Sequence, residues 1–169
     1  IEIGNFDSFY PDGRFFSANE VISLAVESRR LLPEVVLSVT VPHVLPLDLQ
    51  AKLALDLVNS GVDIIQTEGG SSSHPVSPGT VGLIEKASPT LAATFAISSA
   101  LRESHHDVPV ICASGLSEVT VPMAISVGAD GVGIGSAVNK LNSELAMIAT
   151  VKGLRQAIDS FKFVTTISQ

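Results

Sequence analysis

Apolar and polar positions along this chain switch repeatedly between two periods. Short apolar or β-branched runs occur at 1–6, 35–41, 63–70, 108–115 and 130–138, the signature of buried strands. Between them lie stretches with helical spacing at 17–32, 46–61, 79–87, 91–104, 118–128 and 142–158. In the first of these, Val21, Leu24, Ala25, Leu31 and Leu32 largely follow one face. Ser17 with Glu20 three residues on has capping-box spacing, and Pro33 marks the stop. In 46–61, Leu49, Leu53, Leu57 and Val58 share a face, and Gly61 ends it. The segment 71–78, SSSHPVSP, reads as a polar loop broken by proline, long enough to cover a site. The end, 160–169, carries no readable pattern. No low-complexity linker divides the chain, so residues 1–158 are expected to form one domain.

Five strands, each followed by helix, predict an α/β fold built of parallel β/α units. Such units form either an open doubly wound sheet or an arc of a (β/α)₈ TIM barrel. Polar residues alternate within the strands, as in Ser38 and Thr40, Gln66 and Glu68, Cys112 and Ser114. Strands covered on both faces of an open sheet are near-continuously apolar, whereas a barrel mouth accepts polar inward residues. A full barrel takes about 250 residues. Five units in 169 residues, opening on a strand already in progress at Ile1, are the right proportion of such a barrel if three units precede them.

Composition narrows the function. The formal net charge is -7 and the pI is near 4.9, which speaks against a nucleic-acid partner. No apolar run reaches the roughly 18 residues of a membrane helix, so no membrane role is expected. With 46% hydrophobic and 16% charged residues, the chain is globular. The single cysteine, Cys112, excludes an internal disulfide and points to a reducing compartment. Mid-strand and without an adjacent base, it reads as an inert buried thiol.

The stretch GADGVGIGSAV, 128–138, sets four glycines in an apolar run. Glycine weakens a strand interior, so something must come close to the backbone. That something is either a bulky neighbouring side chain or a ligand. The spacing is G-x-G-x-G inside the last strand, unlike the dinucleotide fingerprint G-x-G-x-x-G at a strand-to-helix turn. ASGLSE, 113–118, follows the preceding strand and opens a helix. Barrels hold phosphates on the loops after their last two strands through backbone N–H groups. The expected phosphate-binding residues are Gly115, Leu116 and Ser117 on one loop and Gly133, Ile134, Gly135 and Ser136 on the other.

Strand alternation gives the remaining candidates. With Ile3, Val39, Ile65 and Ile111 toward the helices, Glu2, Thr40, Gln66, Glu68 and Cys112 point inward. Asn5, Asp7, His43, Glu68 and Ser114 fall at strand C-termini, where barrel enzymes place their catalysts. Glu68 is the expected general acid/base and His43 the expected proton shuttle or carbonyl polariser. Each has a structural alternative: Glu68 bonded to the glycine loop that follows it, His43 to backbone. Glu2 reads as polar barrel core, and Asn5 and Asp7 as turn formers. Lys52, Lys86, Lys152 and Lys162 fall on helices or the tail, and Lys140, just beyond a strand, starts its stem in a helix lead-in, so no cation is expected at the mouth and no Schiff-base lysine in these units. The scattered histidines predict no metal site.

VICASGLSEVTVPMAISVGADGVGIGSAV, 110–138, resembles the C-terminal quarter of phosphate-binding barrels, among them sugar-phosphate epimerases, thiazole synthases and FMN-dependent dehydrogenases. With EIGNFDSFY (2–10), LSVTVPH (37–43), IIQTEGG (64–70) and GLIEKASPTLAATFAIS (82–98), the chain resembles the hypothetical chloroplast reading frame twenty-three family over residues 1–158. That resemblance implies a TIM barrel with no established activity, of which this chain carries strands 4–8 without the first three β/α units, located in a plastid (chloroplast) or in cyanobacterial cytoplasm. Three functions stay open. One is an aldolase-, epimerase- or synthase-type enzyme, a lyase or isomerase acting on a phosphorylated small molecule. The second is an oxidoreductase with FMN as cofactor. The third is a non-catalytic sensor or scaffold that keeps the phosphate site.

Overall fold

The computed structural model describes residues 1–69 and 73–167, with side chains through residue 160. Five strands, β1 (Glu2–Ile3), β2 (Ser38–Val41), β3 (Ile64–Thr67), β4 (Val110–Ala113) and β5 (Gly131–Gly133), form one sheet. The order is β1-β2-β3-β4-β5 and every pairing is parallel. A doubly wound sheet reverses its strand order at a switch point. Here each strand pairs with the next in sequence, which is the one-way winding of a TIM barrel. The connecting helices are α1 (Ala18–Leu31), α2 (Leu47–Asn59), α3 (Gly79–Glu103), α4 (Val121–Ser126), α5 (Ser136–Asn139) and α6 (Glu144–Ile167).

The predicted starts hold at α1. Ser17 Oγ accepts from the Glu20 amide, and the Glu20 side chain accepts from the Ser17 amide, closing the capping box. On the helix side of the sheet, Val39, Val41 and Ile65 bury against Val21 and Ala25 of α1, Leu53 and Leu57 of α2 and Ile97 of α3. A second cluster gathers Ala87, Cys112, Val121, Ala124 and Leu154 under α3, α4 and α6. The Gly-x-Asp steps at 61–63 and 128–130 repeat one device. Asp63 accepts from the Leu37 amide at 2.8 Å, and Asp130 from the Val110 amide at 2.8 Å. Each aspartate ties the start of its strand to the preceding one.

Three expectations need correction. The two helices expected at 79–87 and 91–104 are one helix, Gly79–Glu103, with Pro89 inside it. Proline removes a helical N–H and costs about 3 kcal/mol in a helix interior. The helix continues because both halves are anchored: Ala87 packs under α4, and Ile97 and Leu101 are buried in the main core. Second, β5 stops at Gly133, and residues 136–139 turn into α5. Third, the inner face of β4 carries Ile111, not Cys112. Ile111 pairs with Gln66, whose amide bonds the inner residues Glu2 and Thr40. Cys112 lies on the helix side, 3.7 Å from Thr90 Oγ1, fully buried. Of the loop expected at 71–78, residues 71 and 72 lie outside the described residues. The helix at the C-terminus runs past its expected end at 158 to Ile167.

Candidate functional site

The C-terminal strand ends open onto one cavity of ≈ 540 Å³, within the range of small-molecule sites. From β1 and the loop after it come Glu2, Asn5 and Asp7; from β3 come Gln66 and Glu68. Ser114, Gly115 and Leu116 follow β4, and Gly133, Ile134, Gly135 and Ser136 follow β5. Of the residues expected from sequence, these share the cavity. Ser117 and His43 do not line it. Ser117 is closed into the turn leading to α4, its amide donating to Thr120 Oγ1 at 2.9 Å. That amide is therefore spent and takes no part in a phosphate cradle.

Glu68 is the buried centre of the site, 5% exposed. Its Oε1 accepts from the Tyr10 hydroxyl at 2.6 Å and from the His43 amide at 3.1 Å. His43 Nδ1 lies 3.0 Å away from the same oxygen, a bond that places the ring hydrogen on Nδ1 when the carboxylate is ionised. The Tyr10 and His43 rings meet edge-on, 5.3 Å between centroids. Oε2 is buried and has no hydrogen-bond partner among the described residues. His43 thus backs Glu68 from behind, and the role of free proton shuttle at the mouth is not the one its position supports. Burial, the hydrogen bond to Glu68 and the nearby acidic charge push the Tyr10 hydroxyl well above its usual range, so it stays a donor. Burial, then the Glu68 charge, raises the Asp7 carboxyl above the usual carboxylate range, with His43 partly opposing.

Glu2 Oε1 accepts from Gln66 Nε2 at 2.9 Å, which makes Glu2 part of the polar inner face. Asn5, with φ 58, forms the entry to the 3-10 turn Phe6–Ser8 while lining the cavity. Gly131 and Gly133 answer to steric demand: a Cβ would stand 3.0 Å from Ile111 Cδ1 at the first and 2.9 Å from Ala113 Cβ at the second. Gly135 has open space around it. Ser114 and Gly115 both take left-handed backbone, φ 79 and 75. A Cβ on Gly115 would fall 2.8 Å from the Lys86 carbonyl oxygen, so that approach needs glycine.

Tyr10 and Lys86 were not foreseen. Tyr10 is the single tyrosine and sits on a loop with no periodic signal. Lys86 overturns the expectation of a mouth without cations, for it lines the cavity. Helix α3 has 25 residues and is roughly 37 Å long, against about 13 Å for the four-residue strands. Its N-terminal turns extend past the sheet and bring Lys86 across Gly115.

The comparisons agree with this architecture. A family model described as "Protein of unknown function (DUF561)" matches residues 1–164. "Uncharacterized protein ycf23" of Porphyra purpurea is 41% identical over 160 residues, covering 95% of this chain and 58% of the relative. The protein of the same description from Cyanophora paradoxa is 46% identical over 148 residues, covering 88% and 58%. The chain thus spans a little over half the length of these relatives. Among solved structures, oxaloacetate acetylhydrolase matches with TM-score 0.64 at 15% identity, covering 90% of this chain and 55% of that one. 2,3-Dimethylmalate lyase matches with TM-score 0.59 at 17% identity, covering 94% and 54%. At such identities the likeness is one of fold.

Proposed function

Since this chain belongs to the family described as "Protein of unknown function (DUF561)", its cavity is the guide to its chemistry, and we propose that it binds a small phosphorylated metabolite and moves a proton on it. The observation that carries the reading is the meeting, in one cavity, of two glycine-bearing loops and a buried carboxylate with one oxygen left unpartnered among the described residues. The loops 114–116 and 133–136 supply backbone N–H groups for the phosphate, the role such loops play after the last strands of phosphate-binding barrels. Ser114 holds a left-handed conformation that non-glycine residues rarely take, the kind of local strain that clusters at functional sites.

Glu68 is the acid/base. Its Oε1 is fixed by three donors, which leaves Oε2 to meet a C–H or O–H proton beside a carbonyl. Tyr10 and His43 are positioning residues that hold the carboxylate still. Proton abstraction of this kind serves lyases and isomerases of the aldolase, epimerase or synthase type. An FMN oxidoreductase is the second reading, and Lys86 supplies the cation it would want. Among the described residues the cavity lining holds no aromatic ring, which favours the smaller ligand. The algal sources of the relatives support a plastid location, and the coverage figures support the reading of five units from a longer barrel.

The test is to denature the purified full chain and identify the released small molecule by mass spectrometry, for wild type and for Gly115→Ala. A phosphorylated metabolite is expected from wild type, and none from the variant, whose added Cβ meets the Lys86 carbonyl. Released flavin mononucleotide would move the assignment to the oxidoreductase. Glu68→Gln then separates enzyme from sensor: an enzyme loses turnover while the ligand stays bound.

A further inference from the structure

We infer that the ligand's end opposite the phosphate is a hydrogen-bond donor without negative charge, as in a phosphorylated polyol or amino alcohol. The inference rests on the phosphate reading above and adds the substrate class. It comes from the uneven distribution of charge and hydrogen-bonding capacity across the cavity.

The three carboxylates that line the cavity, Glu2, Asp7 and Glu68, all come from β1, β3 and the loops after them. Lys86, the one cationic side chain in the lining among the described residues, stands at the other end with the amides of the β4 and β5 loops. The strand order separates β3 from β5 by two spacings, roughly 10 Å. That distance suits a ligand of a few carbons carrying a phosphate at one end.

At the acidic end the side-chain donors other than the Asn5 amide are committed. Tyr10 and both His43 N–H groups serve Glu68 Oε1. Gln66 Nε2 serves Glu2 and Thr40, at 2.9 and 3.4 Å. The acceptors are in excess. Glu68 Oε2 is buried without a partner among the described residues, on a side chain only 6% exposed. A buried acceptor left unpaired is costly, so a ligand hydroxyl or ammonium that reached it would recover that cost on binding. A ligand carboxylate would instead meet Asp7 and Glu68, two like charges in a partly desolvated pocket.

The opposite end has the reverse character. Lys86 is exposed and makes no ion pair among the described residues. Its Cγ lies 3.3 Å from where a Gly115 Cβ would stand. The stem therefore runs beside the phosphate loop, and among the described residues Lys86 is the lining's one cationic side chain for an anion.

Calorimetric titration of the full chain decides the matter, with inorganic phosphate, O-phosphoethanolamine, glycerol 3-phosphate and 3-phosphoglycerate as probes. The amine and the polyol are expected to bind about tenfold or more tightly than the carboxylate-bearing 3-phosphoglycerate. Glu68→Gln should narrow that gap, and Lys86→Met should weaken every probe, inorganic phosphate included. Inorganic phosphate that binds while 3-phosphoglycerate equals or exceeds the other two organic probes overturns the donor-end inference and leaves the phosphate reading intact. Failure of all four probes, inorganic phosphate among them, removes the phosphate reading and the inference with it. The wild-type comparison suffices should a variant fail to fold.

Discussion

Asp7 shows how a single side chain reports on its neighbours. It shares the cavity with Glu68, and burial together with that charge raises its carboxyl above 3.8. A raised folded value means that protonated Asp7 favours the folded state. That contribution is full below about 3.8 and is lost as pH rises through the raised value. Asp7→Asn should therefore be more stable than wild type near pH 7. The gain should stay below about 1 kcal/mol because the site is only partly desolvated, and should vanish in acid. Urea denaturation at about pH 7 and about pH 3 checks both parts; equal stabilities at neutral pH would contradict the crowding. Glu68 itself was legible in the sequence because a carboxylate just past a strand end faces a barrel mouth. Its anchor Tyr10 was not, since a loop without periodicity gives no direction to its side chains. His43 was legible as a partner of the site, but its depth behind Glu68 depends on a fold of the β2–α2 loop that no local pattern encodes.

The helix α3 and the strands beneath it are joined by buried threonines. Thr90 Oγ1 donates to the Ala113 carbonyl at 2.5 Å and lies 2.6 Å from Thr67 Oγ1, which accepts from the Ala113 amide at 3.2 Å. Thr94 Oγ1 donates to the Thr90 carbonyl at 2.8 Å. The Thr90 side chain thus links β3, α3 and β4, with the Thr67 and Thr90 hydroxyls each both giving and receiving. Thr90→Val keeps the shape but takes the side-chain donor from the Ala113 carbonyl and the Thr90 oxygen from the Thr67 hydroxyl, and should cost about 2 kcal/mol. Thr90→Ser should recover most of it. Denaturant midpoints at unchanged slope are the readout, and a neutral valine would sink the network's role. Pro89 explains why reading two helices failed: its local penalty is real, and burial on both sides outweighs it. The β4 register failed for a different reason. VICA is apolar throughout, so the inward reading of Cys112 rested on alternation with Ser114, which lies past the strand end in left-handed backbone, and the glycines of β5 leave room for Ile111 instead.

The sheet ends in two free edges, β1 and β5, of two and three residues. Beside them the outer helices show apolar faces. On α6, Leu145, Ile148 and Val151 follow one face at 77%, 44% and 51% exposure, and on α1 Leu24 and Leu31 are exposed. Short edge strands limit pairing, but contiguous apolar helix faces favour association. Sedimentation of the 169-residue chain should show concentration-dependent self-association that Leu145→Glu with Ile148→Glu reduces. A monomer at all concentrations would contradict this. The overall architecture was the most legible part of the sequence, since strand–helix alternation and polar inward positions point to a barrel without reference to any single contact. What α3 overhangs was illegible, because it depends on how a long helix projects beyond short strands.

The sequential strand order also bears on how the chain folds. Successive register pairs, Glu2 with Ser38, Ser38 with Ile64, Ile65 with Val110 and Ile111 with Gly131, each close one loop, and none waits for a distant segment. The closure from β3 to β4 is the longest, and it exceeds the one from β4 to β5 in entropy by about 0.7 kcal/mol. Assembly can therefore proceed from more than one nucleus, with the chain's two halves meeting where Thr90 joins them. In a pulse-labelled refolding experiment, that seam should be where the last amides gain protection, and early protection there would contradict this order.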